Sequence, residues 1–286
     1  MMTRPPVFFD HLLALPLPVL VGFLLVYWGL FAVLVHRLLV PWIAGAAGQK
    51  LGRLEAEVPA QIGLAFGLLI SFIAIPVWEQ HKQAEEMART EAAAYRDMKE
   101  AAESSGDPDA VAILPLLRGV LDYLVTAEWP KMARLQSPRI AALPLRELHV
   151  AIRGLQEGQL RSELDELFRQ AADARQTRLR IAAYRPPPAR WSIVGVLAML
   201  TLLGVGLIHA ESYRARRIAL GMVAIGVCCC FVILLAYTRP YLGQFAIQPD
   251  DLIVLREECA ADGIAPSAGD AAPLAGPVSA PRPRDW

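Results

Sequence analysis

Residues 58–78 read VPAQIGLAFGLLISFIAIPVW, a run with no Asp, Glu, Lys or Arg, closed by Trp78 and followed at once by Glu79. The apolar positions are continuous and do not alternate, so the segment reads as a helix and not as a barrel strand. It is also long enough to cross ~30 Å of hydrocarbon, which takes about 20 residues of helix. Three more blocks of this kind lie outward from it, at 12–35, 191–208 and 218–238. Trp42, Trp78, Trp191 and Tyr237 fall at or near the ends of these runs, where amphipathic rings anchor at the interface. The first block exceeds a signal-peptide core, and His36 and Arg37 separate it from the cleavage-like Ala44-Gly45-Ala46, so it reads as a retained span.

The composition agrees. Of 286 residues 55% are hydrophobic and only 20% charged, with mean hydropathy +0.37, against roughly 25% charged in ordinary soluble domains. Basic and acidic residues balance at 28 each, which argues against a nucleic-acid binder. Four cysteines, three of them consecutive at 228–230, make neither a disulfide framework nor a metal site.

Most of the charge lies between the second and third blocks, in residues 79–190. Ala84, Met87, Ala88, Glu91, Ala94, Tyr95, Met98 and Ala102 continue the helix out of the second span at spacings of three and four. Gly106 stops it, and Asp107-Pro108 starts a second helix that carries Leu114, Leu117, Leu121 and Leu124 and closes at Pro130. Ser137-Pro138 starts a third, with Leu148, Ile152 and Leu155. A fourth carries Leu160, Leu164, Leu167, Phe168 and Ala171, and ends at 186–188. The expected architecture is all-α: an integral membrane protein with four transmembrane helices and a helical bundle inserted between spans two and three. Its divisions are 1–78, an N-terminal transmembrane hairpin; 79–190, a membrane-proximal bundle; 191–256, a C-terminal hairpin; and 257–286, a disordered tail rich in Ala, Pro and Gly.

Four spans put the bundle and both termini on one side. The short loops on the other carry Arg37, Lys50, Arg53, Arg214, Arg216 and Arg217, which the positive-inside rule reads as cytoplasmic. By that count the bundle is extracytoplasmic, although Arg175, Arg178, Arg180, Arg185 and Arg190 cluster just before span three.

In span two, Gly63, Gly67 and Ser71 make a small-residue stripe for close helix packing. Phe66, Leu69, Ile73 and Val77 occupy another side. Two readings stand: ordinary packing within the chain's own bundle, or a pore wall in an oligomer whose apolar rings gate by dewetting. Glu91 interrupts a small, apolar face and needs a partner, which Arg175 or Arg178 offers; a structural ion pair and a ligand-facing role are both open. The candidate polar network comprises Glu79, Glu91, Glu128, Asp173, Arg175 and Arg178. His36, His81 and His209 stand at span ends, as interfacial anchors or as ion-handling groups. No sequence motif implies catalysis, a cofactor or a metal.

Several short signatures in order resemble the bacterial bestrophin-like domain family. They are 77–80 (VWEQ), 91–94 (EAAA), Tyr123 with 128–130 (EWP), 173–175 (DAR), Arg178-Leu179, Pro188 before Trp191, and 239–243 (RPYLG), within roughly 15–257. Thr238 departs from the family's usual Asp before Arg-Pro. The resemblance implies a multi-pass protein of the bacterial inner membrane, homo-oligomeric and by analogy pentameric. It also implies ion (anion) conduction with the second span lining the pore, so that Phe66, Leu69, Ile73 and Val77 become neck candidates. Bestrophins hold their helical part in the cytosol, opposite to the side the loop charges indicate; both orientations stand at this point. The alternative function is a non-conducting sensor or scaffold whose bundle binds a partner or small ligand.

Overall fold

The structure is a computed structural model that describes residues 15–45, 57–133, 143–184, 188–243 and 245–264. The described residues are all-helical, with no strand. Eight helices organise them: α1 (Leu17–Ala44), α2 (Glu57–Ser104), α3 (Leu114–Ala133), α4 (Leu143–Gly154), α5 (Gln159–Ala183), α6 (Pro188–Ile208), α7 (Tyr213–Tyr237) and α8 (Asp250–Ala261). A single turn, Pro108–Val111, precedes α3.

α2 is one continuous helix of 48 residues and belongs to two apolar clusters. Near its start, Phe66 joins α1, α6 and α7 through Leu24, Trp28, Val194, Leu202, Val227 and Phe231. Farther along, Ala84, Ala88, Tyr95 and Met98 join α3, α4, α5 and α8 through Leu117, Leu121, Leu148, Leu164 and Leu255. Gly106 takes a left-handed φ of 66°, a conformation that costs glycine little. The Asp107 carboxylate then accepts the Asp109 N–H at 2.9 Å and caps the next turn.

Five helices are long and apolar enough to cross a membrane: Leu17–Ala44, Glu57–Ser104, Pro108–Met132, Ala189–Ile208 and Tyr213–Tyr237. Their outer faces differ. α1, the first part of α2, α6 and α7 expose large apolar side chains such as Leu30, Leu64, Ile193 and Met222, whereas Leu114, Leu117, Leu121 and Leu124 of α3 are buried in the second cluster.

Close contacts between the spanning helices come from glycines on α6. A Cβ at Gly204 would stand 2.8 Å from Pro59 Cβ, and one at Gly206 2.8 Å from Val35 Cγ1. The expected stripe is used only in part: a Cβ built on Gly63 would stand 3.8 Å from Thr201 Cγ2, and one built on Gly67 would meet nothing within 4 Å among the described residues. The Ser71 hydroxyl, exposed, donates to the Gly67 carbonyl at 2.9 Å.

Two expectations need correction. α3 does not close at Pro130: a π turn, Leu124–Glu128, leads into Trp129–Ala133. Proline lacks an N–H and crowds the preceding turn, and the wider π turn accommodates both effects. An equivalent π turn, Val35–Leu39, precedes Pro41 in α1. Nor does order end at residue 256. α8 runs to Ala261 with Cys259 buried in the second cluster. It stops in a Schellman arrangement, with Gly263 at φ 74°, its N–H bonded to the Ala260 carbonyl and that of Ile264 to the Cys259 carbonyl. The start signal Ser137-Pro138 and residues 265–286 of the tail lie outside the described residues.

Candidate functional site

The second cluster encloses four charged groups. Arg178 of α5 is fully buried, with its Nε donating to Glu91 Oε2 at 2.6 Å and its Nη2 to Glu91 Oε1 at 3.1 Å. The same Nη2 reaches Glu128 Oε1 at 2.7 Å. Its Nη1 points at the Met132 sulfur, 3.1 Å away, and its guanidinium carbon lies 4.5 Å from the Trp129 ring centroid. One turn earlier, Arg175 Nε donates to Glu128 Oε2 at 2.9 Å. Two carboxylates and two guanidiniums thus satisfy one another, which is the condition under which charge tolerates burial.

Local backbone geometry places them. Glu128 closes the π turn of α3, so the inserted residue turns its carboxylate inward. Arg175 and Arg178 share a face of α5 at i and i+3. Burial pushes the Glu91 carboxyl up, while the Arg178 charge and hydrogen bonds pull against that rise. Burial opposes the charge on Arg178 too, but Glu91 and Glu128 prevail and hold it above the ordinary arginine value. Beside them the Tyr95 hydroxyl is buried and has no hydrogen-bond partner among the described residues.

The chain after α7 closes this cluster. Tyr241 packs edge-on to Trp129 at 5.7 Å, and its hydroxyl donates to the Ala84 carbonyl at 3.1 Å. Trp129 Nε1 donates to the Ile247 carbonyl at 3.1 Å, and Arg239 Nη1 to the Tyr184 carbonyl at 2.7 Å. Glu91, Glu128-Trp129, Arg175, Arg178 and Tyr241, far apart in sequence, therefore meet in one volume. Asp173 and Glu79 do not join them: both are exposed, and Glu79 instead lines a groove of about 880 Å³ between α2 and α5 with Val77, Lys82 and Arg180.

Earlier on α2, the faces divide differently from the sequence expectation. Phe66 is only 8% exposed and closed in by its own chain; Leu69 and Ile73 are half-buried against the same cluster. Phe66 thus turns toward its own chain, which periodicity alone does not decide, since it identifies residues that share a face without saying which face turns outward. The outward row is Leu64, Leu68, Phe72 and Ile75, exposed by 74%, 55%, 63% and 61%. Gly67 and Ser71 stand beside it, also exposed.

Of the three consecutive cysteines, Cys228 is buried and Cys229 exposed. No group of three metal-ligating side chains occurs among the described residues.

In sequence, the bestrophin-like domain matches residues 24–252. No curated protein matches the chain in sequence. In structure, the chain is similar to a variant of a bacterial bestrophin homologue from Klebsiella pneumoniae, with TM-score 0.64, 14% identity, and coverage of 85% of this chain and 98% of that one. A variant described as a membrane protein gives TM-score 0.65 at 12% identity, covering 85% and 97% respectively.

Proposed function

Since the chain belongs to the bestrophin-like domain family, we propose that this multi-pass membrane protein forms an ion-conducting pore, lined by α2, in a ring of identical subunits. The observation that carries the reading is the outward row Leu64, Leu68, Phe72 and Ile75 with Gly67 and Ser71 beside it. Leu64, Leu68 and Phe72 repeat at i, i+4 and i+8, one above the other on the helix. In a ring they would form stacked apolar collars, and a narrow apolar collar holds back ions by expelling water. The small residues alongside let a neighbouring helix approach closely.

In this reading four helices span: α1, the first part of α2, α6 and α7. The fifth membrane-length helix, α3, stays with residues 79–190 outside the bilayer, since its apolar side chains already face protein. The charge cluster fixes the bundle on the far end of α2 and is structural in role.

The test is anion flux from liposomes carrying the purified protein. Phe72→Ala and Leu68→Ala should each raise flux several-fold, whereas Val77→Ala should not. Flux that is absent, or indifferent to both collar substitutions, would leave the non-conducting sensor as the better reading.

A further inference from the structure

At the end of the molecule that carries the short loops, α1 and α7 part to leave a groove of about 380 Å³. Its body is apolar, with Leu25, Val33 and Ile225 on its walls. Gly29 and Gly221 also line it, and a Cβ built on either would meet nothing within 4 Å. The groove exists because side chains are missing there. It opens on helix faces that expose Leu25, Val33 and Ile225 by 44%, 55% and 58%.

Its mouth is basic. Arg37 and Arg217 both line it and are exposed, and neither has an ion-pair partner among the described residues. Behind the wall formed by His36 and Tyr213 sits Arg216, only 7% exposed. Its partners are the His36 ring, whose Nδ1 accepts from Arg216 Nε at 3.1 Å, the Ala210 carbonyl at 3.5 Å, and the Tyr213 ring at 5.9 Å. No carboxylate reaches it among the described residues, in contrast to Arg178, which is met by Glu91 and Glu128. Arg37, Arg216 and Arg217 all place their charge within electrostatic reach of His36. Since His36 Nδ1 accepts, the neutral ring carries its proton on Nε2, a buried donor with no partner among the described residues. A buried cation without a counter-charge is costly, so among the described residues this end of the molecule is short of an anion.

We propose that the α1–α7 groove binds an anionic phospholipid, its phosphate on Arg37 and Arg217 and an acyl chain along Gly29 and Gly221. An apolar slot open to the acyl region with a cationic rim matches both halves of such a molecule. A free anion would use the rim and leave the slot unused. The proposal rests on the membrane-spanning reading of α1 and α7 and is independent of conduction.

Native mass spectrometry of the full chain in detergent, titrated with phosphatidylglycerol, phosphatidylcholine or glycerol 3-phosphate, tests it. Phosphatidylglycerol should bind saturably and at least ten-fold more tightly than phosphatidylcholine. Arg37→Gln and Arg217→Gln should each weaken it about five-fold, the factor corresponding to ~1 kcal/mol per basic residue at an anionic headgroup. Gly29→Leu should fill the slot and abolish it. Both arginines are exposed, so their variants should keep the wild-type elution volume and helical signal. Equal affinity for the two lipids, or no loss in the double arginine variant, would overturn the proposal. So would glycerol 3-phosphate binding as tightly as phosphatidylglycerol, which would mark a soluble-anion site. If these arms fail while flux in phosphatidylcholine liposomes persists, the lipid site falls and the pore reading stands. A chain that carbonate washes off membranes would overturn both.

Discussion

At the scale of single residues, Arg178 carries the greatest consequence. It is fully buried between Glu91 and Glu128. Arg178→Ala would leave two buried carboxylates with only Arg175 to answer them, and breaking a buried pair in this way costs ~3–5 kcal/mol. The expected outcome is a large fall in the unfolding midpoint in mild detergent, with a smaller fall for Glu91→Gln, which keeps a hydrogen-bond acceptor. A midpoint unchanged by Arg178→Ala would mean that the cluster is solvated and not sealed. Glu91 was legible as a charge out of place on an apolar face, and α5 was legible as the source of its partner. The part of Glu128 was harder to read, because Pro130 looked like a helix stop. Only the structure shows that Pro41 and Pro130 each follow a π turn whose buried polar residue, His36 or Glu128, turns inward.

At the scale of elements, the end of α2 before Gly106 and the new start at Asp107-Pro108 followed from glycine, proline and cap signals, whereas the end of α3 and the outward face of α2 did not. A stripe of small residues marks where backbones can approach, and only the packed structure says which stripe is used. Here Gly204 and Gly206 sit in the tight contacts, and a Cβ at Gly67 would meet nothing among the described residues. Gly206→Val should therefore destabilise the isolated protomer by ~1–3 kcal/mol through overpacking. Gly67→Val should leave protomer stability unchanged and weaken self-association instead. Thermal unfolding and native mass spectrometry read the two effects separately.

The last helix gives a pH-dependent prediction. Lys99 of α2 holds the end of α8 through Asp262 at 2.8 Å and bonds Glu103 at 2.9 Å. Burial works against its ammonium, but those hydrogen bonds outweigh it and raise its pKa above the ordinary lysine value. A raised folded-state pKa contributes stability that is complete below the unfolded value and lost as pH climbs through the folded one. Proteolysis within residues 250–264 should thus stay slow at neutral pH and accelerate only in the strongly alkaline range. Lys99→Met should be cut readily already at pH 8, with a flatter profile.

At the scale of the whole molecule, composition and four greasy blocks were enough to foresee an all-helical membrane protein. A fifth helix, α3, is also long and apolar enough to cross a membrane, at a mean hydropathy of 1.6 against 2.1–2.9 for the other four, yet Leu114, Leu117, Leu121 and Leu124 are turned inward onto partners that only folding brings together. If the short loops, which carry Arg37, Arg214, Arg216 and Arg217, follow the positive-inside rule, they face the cytoplasm. A Glu166→Cys variant lacking the native cysteines should then react with a membrane-impermeant maleimide on intact cells. Labelling that requires permeabilisation would put the bundle in the cytoplasm.

The unbroken course of α2 through both apolar clusters has a mechanical corollary. Forty-eight residues at 1.5 Å each make a rod of ~72 Å. With a fulcrum near Trp78, tipping the wet end by ~5° would swing Leu64, some 14 residues away, sideways by ~2 Å. That is about the radius of a methyl group, enough, in the proposed pore, to convert a load on the distant helices into a change of aperture without any joint unfolding.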